Sequence, residues 1–105
     1  MAQLTIIYWR DIPAQVIARS GRTSAKRELP ARFQEAIDRA AMRGGARDTD
    51  SYLAEWRRAA PVACGEALED EVARAAAELE AAYDAARLAS LVANGGRATD
   101  LGAGG

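Results

Sequence analysis

The sequence predicts an α+β fold in which a small antiparallel sheet, an N-terminal hairpin plus a third strand, packs against two main helices, the last one long. Three observations predict it. Residues 3–9, "QLTIIYW", are rich in β-branched and aromatic types. Phe33, Ala36, Ile37, Ala40 and Ala41 form an i, i+3/i+4 apolar stripe. Residues 66–92 run without Gly or Pro and are rich in Ala, Glu, Leu and Arg, all good helix formers.

The elements follow in order. Residues 14–20 form a second short strand through Val16 and Ile17, and Arg10-Asp11-Ile12-Pro13 is the turn. Pro13 lacks an amide hydrogen and biases Ile12 away from helix. Leu4, Ile6 and Tyr8 alternate with Thr5, Ile7 and Trp9, so both faces are partly apolar. That pattern suggests a central strand or a second contact surface. Residues 19–30, "RSGRTSAKRELP", read as a basic loop. Pro30 fits the first turn of the next helix, which Gly44-Gly45 stops. Glu35 and Arg39 have the spacing of a weak surface pair. Asp48 suits an N-cap for a short helical turn over 49–54. Pro61 and Val62 favour an extended third strand over about residues 55–63.

The long C-terminal helix carries an anomaly. Leu68, Val72, Ala75, Leu79, Tyr83 and Ala86 share one stripe, but Leu88, Leu91 and Val92 fall roughly opposite. Unbroken, the segment would span ~40 Å, too long for a domain with a radius of gyration of ~13 Å. Either it breaks near residue 87 and folds back, or its end projects and offers Leu88, Leu91 and Val92 to a partner. Asn94-Gly95-Gly96 ends it, and residues 94–105 are expected to form a flexible tail.

Composition narrows the function. The 105 residues suffice for one domain with one modest core. Residues 1–63 hold eleven basic and seven acidic side chains, and residues 64–105 hold three and eight, so a mildly basic part faces an acidic one. There is no histidine and one cysteine, Cys64, which removes disulfides, cysteine-rich zinc sites and the usual Ser-His or Cys-His activation. "T-S-A-K", Thr23 to Lys26, has the residue types of a Thr-Lys pair but not the companion motifs. Asp48 and Asp50 lack the glycine and distal glutamate of a calcium loop, and capping accounts for them. No catalytic residue, metal or cofactor is expected. No apolar run reaches membrane-spanning length and the N-terminus lacks a signal-peptide pattern, so a cytoplasmic, membrane-free protein is expected.

Two surfaces remain as candidate sites. Arg19, Arg22, Thr23, Ser24, Lys26 and Arg27 lie in the basic loop between a strand and a helix N-terminus, a topology that permits anion binding. Only one glycine is present there, and no phosphate-loop motif occurs. The other surface is Leu88, Leu91 and Val92.

The segments "IIYWRDIPAQV", "AIDRAAMRGGARDTDSYLAEWRR" and "LVANGG" resemble a family of small bacterial proteins known as "virulence factor". A related segment occurs within the larger conserved virulence factor C proteins. The resemblance covers about residues 3–93, read as a single domain, and implies no catalytic residues. It implies proximity to folate-dependent one-carbon and methyltransferase genes, and its name records a phenotype rather than a mechanism. The leading expectation is a non-enzymatic accessory protein. Its C-terminal helix face would supply buried area to a protein partner or a second copy, and its Arg-rich loop would steer acidic groups. The alternative is a binder of a small anion or polyanionic metabolite, of folate or one-carbon type, at the same loop. A nucleic-acid module comes third, because the net charge is −1 and Trp9 and Trp56 suit the core as well as they suit stacking on bases.

Overall fold

A computed structural model describes residues 2–43, 45 and 48–97. Among these residues five strands and four helices follow one another, as an α+β fold. β1 (Gln3–Trp9) and β2 (Ile12–Ser20) form the predicted hairpin, but its turn is the two residues Arg10-Asp11 rather than the expected four, because Ile12 and Pro13 pair with Trp9 and Tyr8 as the start of β2. β1 is central, as its two apolar faces suggested: β2 pairs with one edge, and β4 (Trp56–Arg58) and β5 (Val62–Ala63) pair with the other, all antiparallel. The predicted third strand is therefore two short pieces. Between them the chain leaves the ladder after Ala59, whose amide still donates to the Ile6 carbonyl at 3.0 Å. Pro61 has no amide hydrogen to continue the pairing.

One element was not expected. The supposed basic loop is mostly a strand, β3 (Thr23–Glu28), which pairs with β2 in full register from Ser20–Thr23 to Gln15–Glu28. Gly21, at φ +60°, opens the two-residue connection at a position that glycine adopts without steric cost. β3 lies at the sheet edge and buries only Ala25, so it carries no apolar alternation to announce it.

The helices build the other layer. α1 (Ala31–Arg43) buries its predicted stripe of Phe33, Ala36, Ile37, Ala40 and Ala41. The short α2 (Thr49–Ala54) starts at the predicted cap, where Asp48 Oδ2 accepts from the Ser51 amide at 3.1 Å. α3 (Leu68–Ala82) packs on β2 and β3, and α4 (Ala85–Ala93) packs on α1. One cluster joins all of these, with Trp9, Ile12, Val16, Phe33, Ile37 and Val72 among its most buried members.

The single long C-terminal helix is not present. It breaks at Tyr83-Asp84, four residues before the expected point, and folds back. Asp84 is extended (φ −73°, ψ 179°) and its carboxylate accepts from the Arg87 amide at 2.9 Å, starting a new helix. The carbonyls left at the end of α3 are satisfied by arginines. Arg32 donates to Tyr83 O at 2.6 Å and to Glu80 O at 3.1 Å, and Arg87 donates to Ala82 O at 3.1 Å. The break resolves the anomaly in the stripe, because each half now turns its own apolar residues inward. Leu88 and Leu91 are each 5 % exposed and belong to the core, so they form no free partner face; Val92 is half-buried.

The expected tail also needs revision at its start. Gly95 and Gly96 are buried, and Asp11 N donates to Gly96 O at 2.8 Å. Residues 98–105 of the expected tail lie outside the described residues.

Candidate functional site

The residues of the basic segment do not converge. Arg19 is in β2, Arg22 is in the turn, and Thr23, Ser24, Lys26 and Arg27 are in β3. Alternation along β3 sends Ser24 and Lys26 to one face and Thr23 and Arg27 to the other. All six are exposed, so the segment encloses no cavity for an anion. The same alternation separates Thr23 from Lys26 and rules out the Thr-Lys pairing. Lys26 and Arg27 on an edge strand discourage sheet-to-sheet association between molecules.

A trough runs between α1 and α4. Its floor is apolar and made largely of small side chains, Ala36, Ala85, Leu88, Ala89 and Val92, and its volume is about 350 Å³. Arg32, Arg39 and Arg43 project from α1 along one side, with Glu35 among them. Arg32 is committed to the α3 C-terminus and stacks over the Phe33 ring at 4.7 Å. Among the described residues, Arg39 and Arg43 make no ion pair or side-chain hydrogen bond, and the expected Glu35–Arg39 pair is not formed. Met42, 62 % exposed, continues the apolar floor outward beside Val92. Of the three residues expected to form a partner face, Val92 alone is partly open, and it lines this trough.

A second, more polar cleft of about 280 Å³ lies where β1, β4 and the α3–α4 junction meet. Tyr8 and Arg57 are directly opposed across the β1–β4 ladder, and the guanidinium sits 4.6 Å from the ring centroid. Tyr83 and Arg87, either side of the helix break, repeat the arrangement at 4.1 Å. Asp11 lies beside them, with its Oδ1 accepting from Arg57 Nη2 at 3.1 Å, and Leu91 and Ala59 supply the apolar lining. Burial, reinforced by Tyr83, pushes the Tyr8 phenol above its ordinary value, and Arg57 opposes this. The sequence does not announce this group, because Tyr8, Arg57, Tyr83 and Arg87 are spread over 79 positions and only tertiary contact brings them together.

The hairpin turn beside the cleft is tightly held. Arg10 has φ +53°, in the left-handed region that a non-glycine residue rarely adopts. Its Nη1 donates to Gly95 O at 2.7 Å, its guanidinium lies 4.8 Å from the Trp9 ring centroid, and its Nε is 3.3 Å from Glu55 Oε1. The Nε–Glu55 contact is an ion pair without hydrogen-bond geometry. Arg57 Nε caps the Arg10 carbonyl at 2.9 Å. These contacts offset a backbone cost of about 1–2 kcal/mol.

Elsewhere the chemistry is sparse. Burial, with the carboxylates of Glu71 and Glu66 nearby, pushes the Cys64 thiol up and away from the reactive thiolate. Among the described residues, no group of three or more Cys, Asp or Glu side chains is placed to hold a metal ion. No helix among them is long and apolar enough to cross a membrane.

Comparison with curated proteins and with solved structures gives no match. The family model described as "Virulence factor" matches residues 7–92, a span that takes in the hairpin turn, the trough and both tyrosine–arginine stacks. The chain belongs to the virulence factor family.

Proposed function

We propose that this chain is a non-enzymatic interaction protein that receives an acidic helix of a partner protein in the trough between α1 and α4. The observation that carries this reading is the trough's rim: Arg39 and Arg43 stand over an apolar floor and, among the described residues, form no ion pair, even with Glu35 beside them. An amphipathic helix laid in a groove buries its apolar stripe and presents its flanking charges to the rim. Small floor residues let a third helix approach α1 and α4 closely. The 13 residues of α1 give a seat of ~20 Å, about three to four helical turns. An acidic partner is preferred because guanidiniums pair with carboxylates and repel a basic helix. In this reading the C-terminal helix takes part through Val92 and Leu88, which line the trough, and not through Leu91. β3 and its basic side chains contribute longer-range attraction.

The test is affinity capture from the native lysate with wild-type protein and with Arg39→Glu/Arg43→Glu, alongside light scattering of each. An acidic protein retained stoichiometrically by the wild type and lost by the double variant supports the reading. Equal retention by both proteins overturns it. A wild-type dimer that the double variant dissolves would overturn it in favour of a second copy in the trough.

A further inference from the structure

We propose that the cleft between the two tyrosine–arginine stacks is a binding site for a phosphate monoester. It lies apart from the α1–α4 trough and shares no residue with it.

Four groups suited to an anion line this one cleft: the Tyr8 and Tyr83 phenols and the Arg57 and Arg87 guanidiniums. They come from β1, β4, the end of α3 and the first turn of α4, so only the folded chain assembles them. Two cations face a single carboxylate, Asp11, which already accepts from Arg57. The lining therefore keeps a net positive charge. Each guanidinium lies over a tyrosine ring, which fixes its plane and leaves its N–H edge for acceptors in that plane. Arg87 commits Nη1 to Ala82 O. Arg57 commits Nε to Arg10 O and Nη2 to Asp11. The donors that remain suit a tetrahedral oxyanion, which accepts from several directions at once.

The cleft also selects against a bare ion. Leu91 and Ala59 form an apolar part of the lining, and the two aromatic rings flank it. An organic body attached to the phosphate would cover these surfaces, whereas inorganic phosphate would leave them wet. Burial and a hydrogen bond with Tyr83 favour the neutral Tyr8 phenol, so the paired phenols add no opposing negative charge, and the Tyr83 hydroxyl is the one left to donate to the ester oxygens. No bond is made or broken in this site.

Phenyl phosphate is the probe, with phenol as its uncharged counterpart, in calorimetric titration of the full chain at low salt. Saturable binding in the millimolar range or tighter is expected, with phenol binding at least about tenfold more weakly. Arg87→Ala should weaken phenyl phosphate by about tenfold or more, because it removes a charged donor. Tyr83→Phe, which keeps the ring against Phe33, should weaken it by several-fold. Arg39→Ala/Arg43→Ala should leave it unchanged. The proposal is overturned if phenyl phosphate fails to saturate, if phenol binds as well, or if the loss appears in the trough variant instead of Arg87→Ala. Should Arg87→Ala unfold, Tyr83→Phe decides alone: unchanged affinity in that folded variant overturns the site. Failure here leaves the partner-binding reading standing, since that reading concerns the opposite set of arginines.

Discussion

Glu66 illustrates how one exposed side chain can secure two distant segments of the chain. Its Oε1 accepts from the Ser20 hydroxyl at 2.7 Å, and its Oε2 accepts from the Ala2 amide at 3.0 Å. Both bonds favour the carboxylate, and they hold its pKa below the ordinary 4.5, the Ser20 bond most strongly. A folded-state pKa below the unfolded value means that the unfolded chain binds more protons as the solution turns acidic. The stabilisation is thus complete above the unfolded pKa, near 4.5, and is lost as pH falls through the lower folded value. Asp48, depressed by its bond from the Ser51 amide, acts in the same direction. Glu66→Gln should therefore melt below wild type at pH 7, and the gap should close as melting is repeated towards pH 3. A gap that stays constant across that range would show that the Glu66 charge has no part in it.

At the scale of the element, the decisive event is the break between α3 and α4. An Ala-rich run with no Gly or Pro reads as one helix, because helix propensity is summed locally and favours continuation. Two features outweigh it: the Asp84 side chain caps a new first turn, and Arg32 and Arg87 satisfy the last carbonyls of the old helix. Asp84→Ala removes the cap and should cost about 1 kcal/mol, read as a lower urea midpoint with an unchanged slope. No change in the midpoint would mean that packing of Leu88 and Leu91 sets the break without help. The sequence made the conflict visible, since Leu88 and Leu91 lie opposite the Leu68–Tyr83 stripe, and fold-back was one of its two resolutions. The residue of the break was not legible, because the Arg32 donors come from a helix some fifty positions earlier. α1 and the β1–β2 hairpin were legible for the converse reason: their burial follows their own period. β3 was not, because an edge strand that buries only Ala25 has the composition of a loop. The candidate sites were least legible, since both are formed by side chains that only tertiary contact brings together.

Across the whole molecule, the first strands and the last described residues close on each other. Gly95 and Gly96 follow α4 and reach the β1–β2 turn, where their carbonyls accept from Arg10 Nη1 and from the Asp11 amide. Gly96 has φ +92°, and a Cβ there would stand 2.8 Å from Trp9 Cζ3 and 3.3 Å from the Ala40 Cβ. Trp9 has no room to yield: it is fully buried, and its indole nitrogen donates to Tyr52 O at 2.8 Å. The "LVANGG" segment is therefore a clasp between the last helix and the central strand. It also positions both candidate sites, since α4 walls the trough and places Arg87 beside Tyr83. Gly96→Ala adds a left-handed backbone penalty to overlap with a rigid indole, and should cost about 2–4 kcal/mol. Gly21→Ala provides the reference, because Gly21 shares the positive φ but has nothing within 4 Å of its added carbon. It should cost only about 1 kcal/mol, the backbone part alone. Urea denaturation of the two variants thus separates the clasp from the conformational penalty. Equal losses would mean that the glycines matter for their backbone angles only, and that the contact between Gly96 and Trp9 does not fasten the end of α4 to β1.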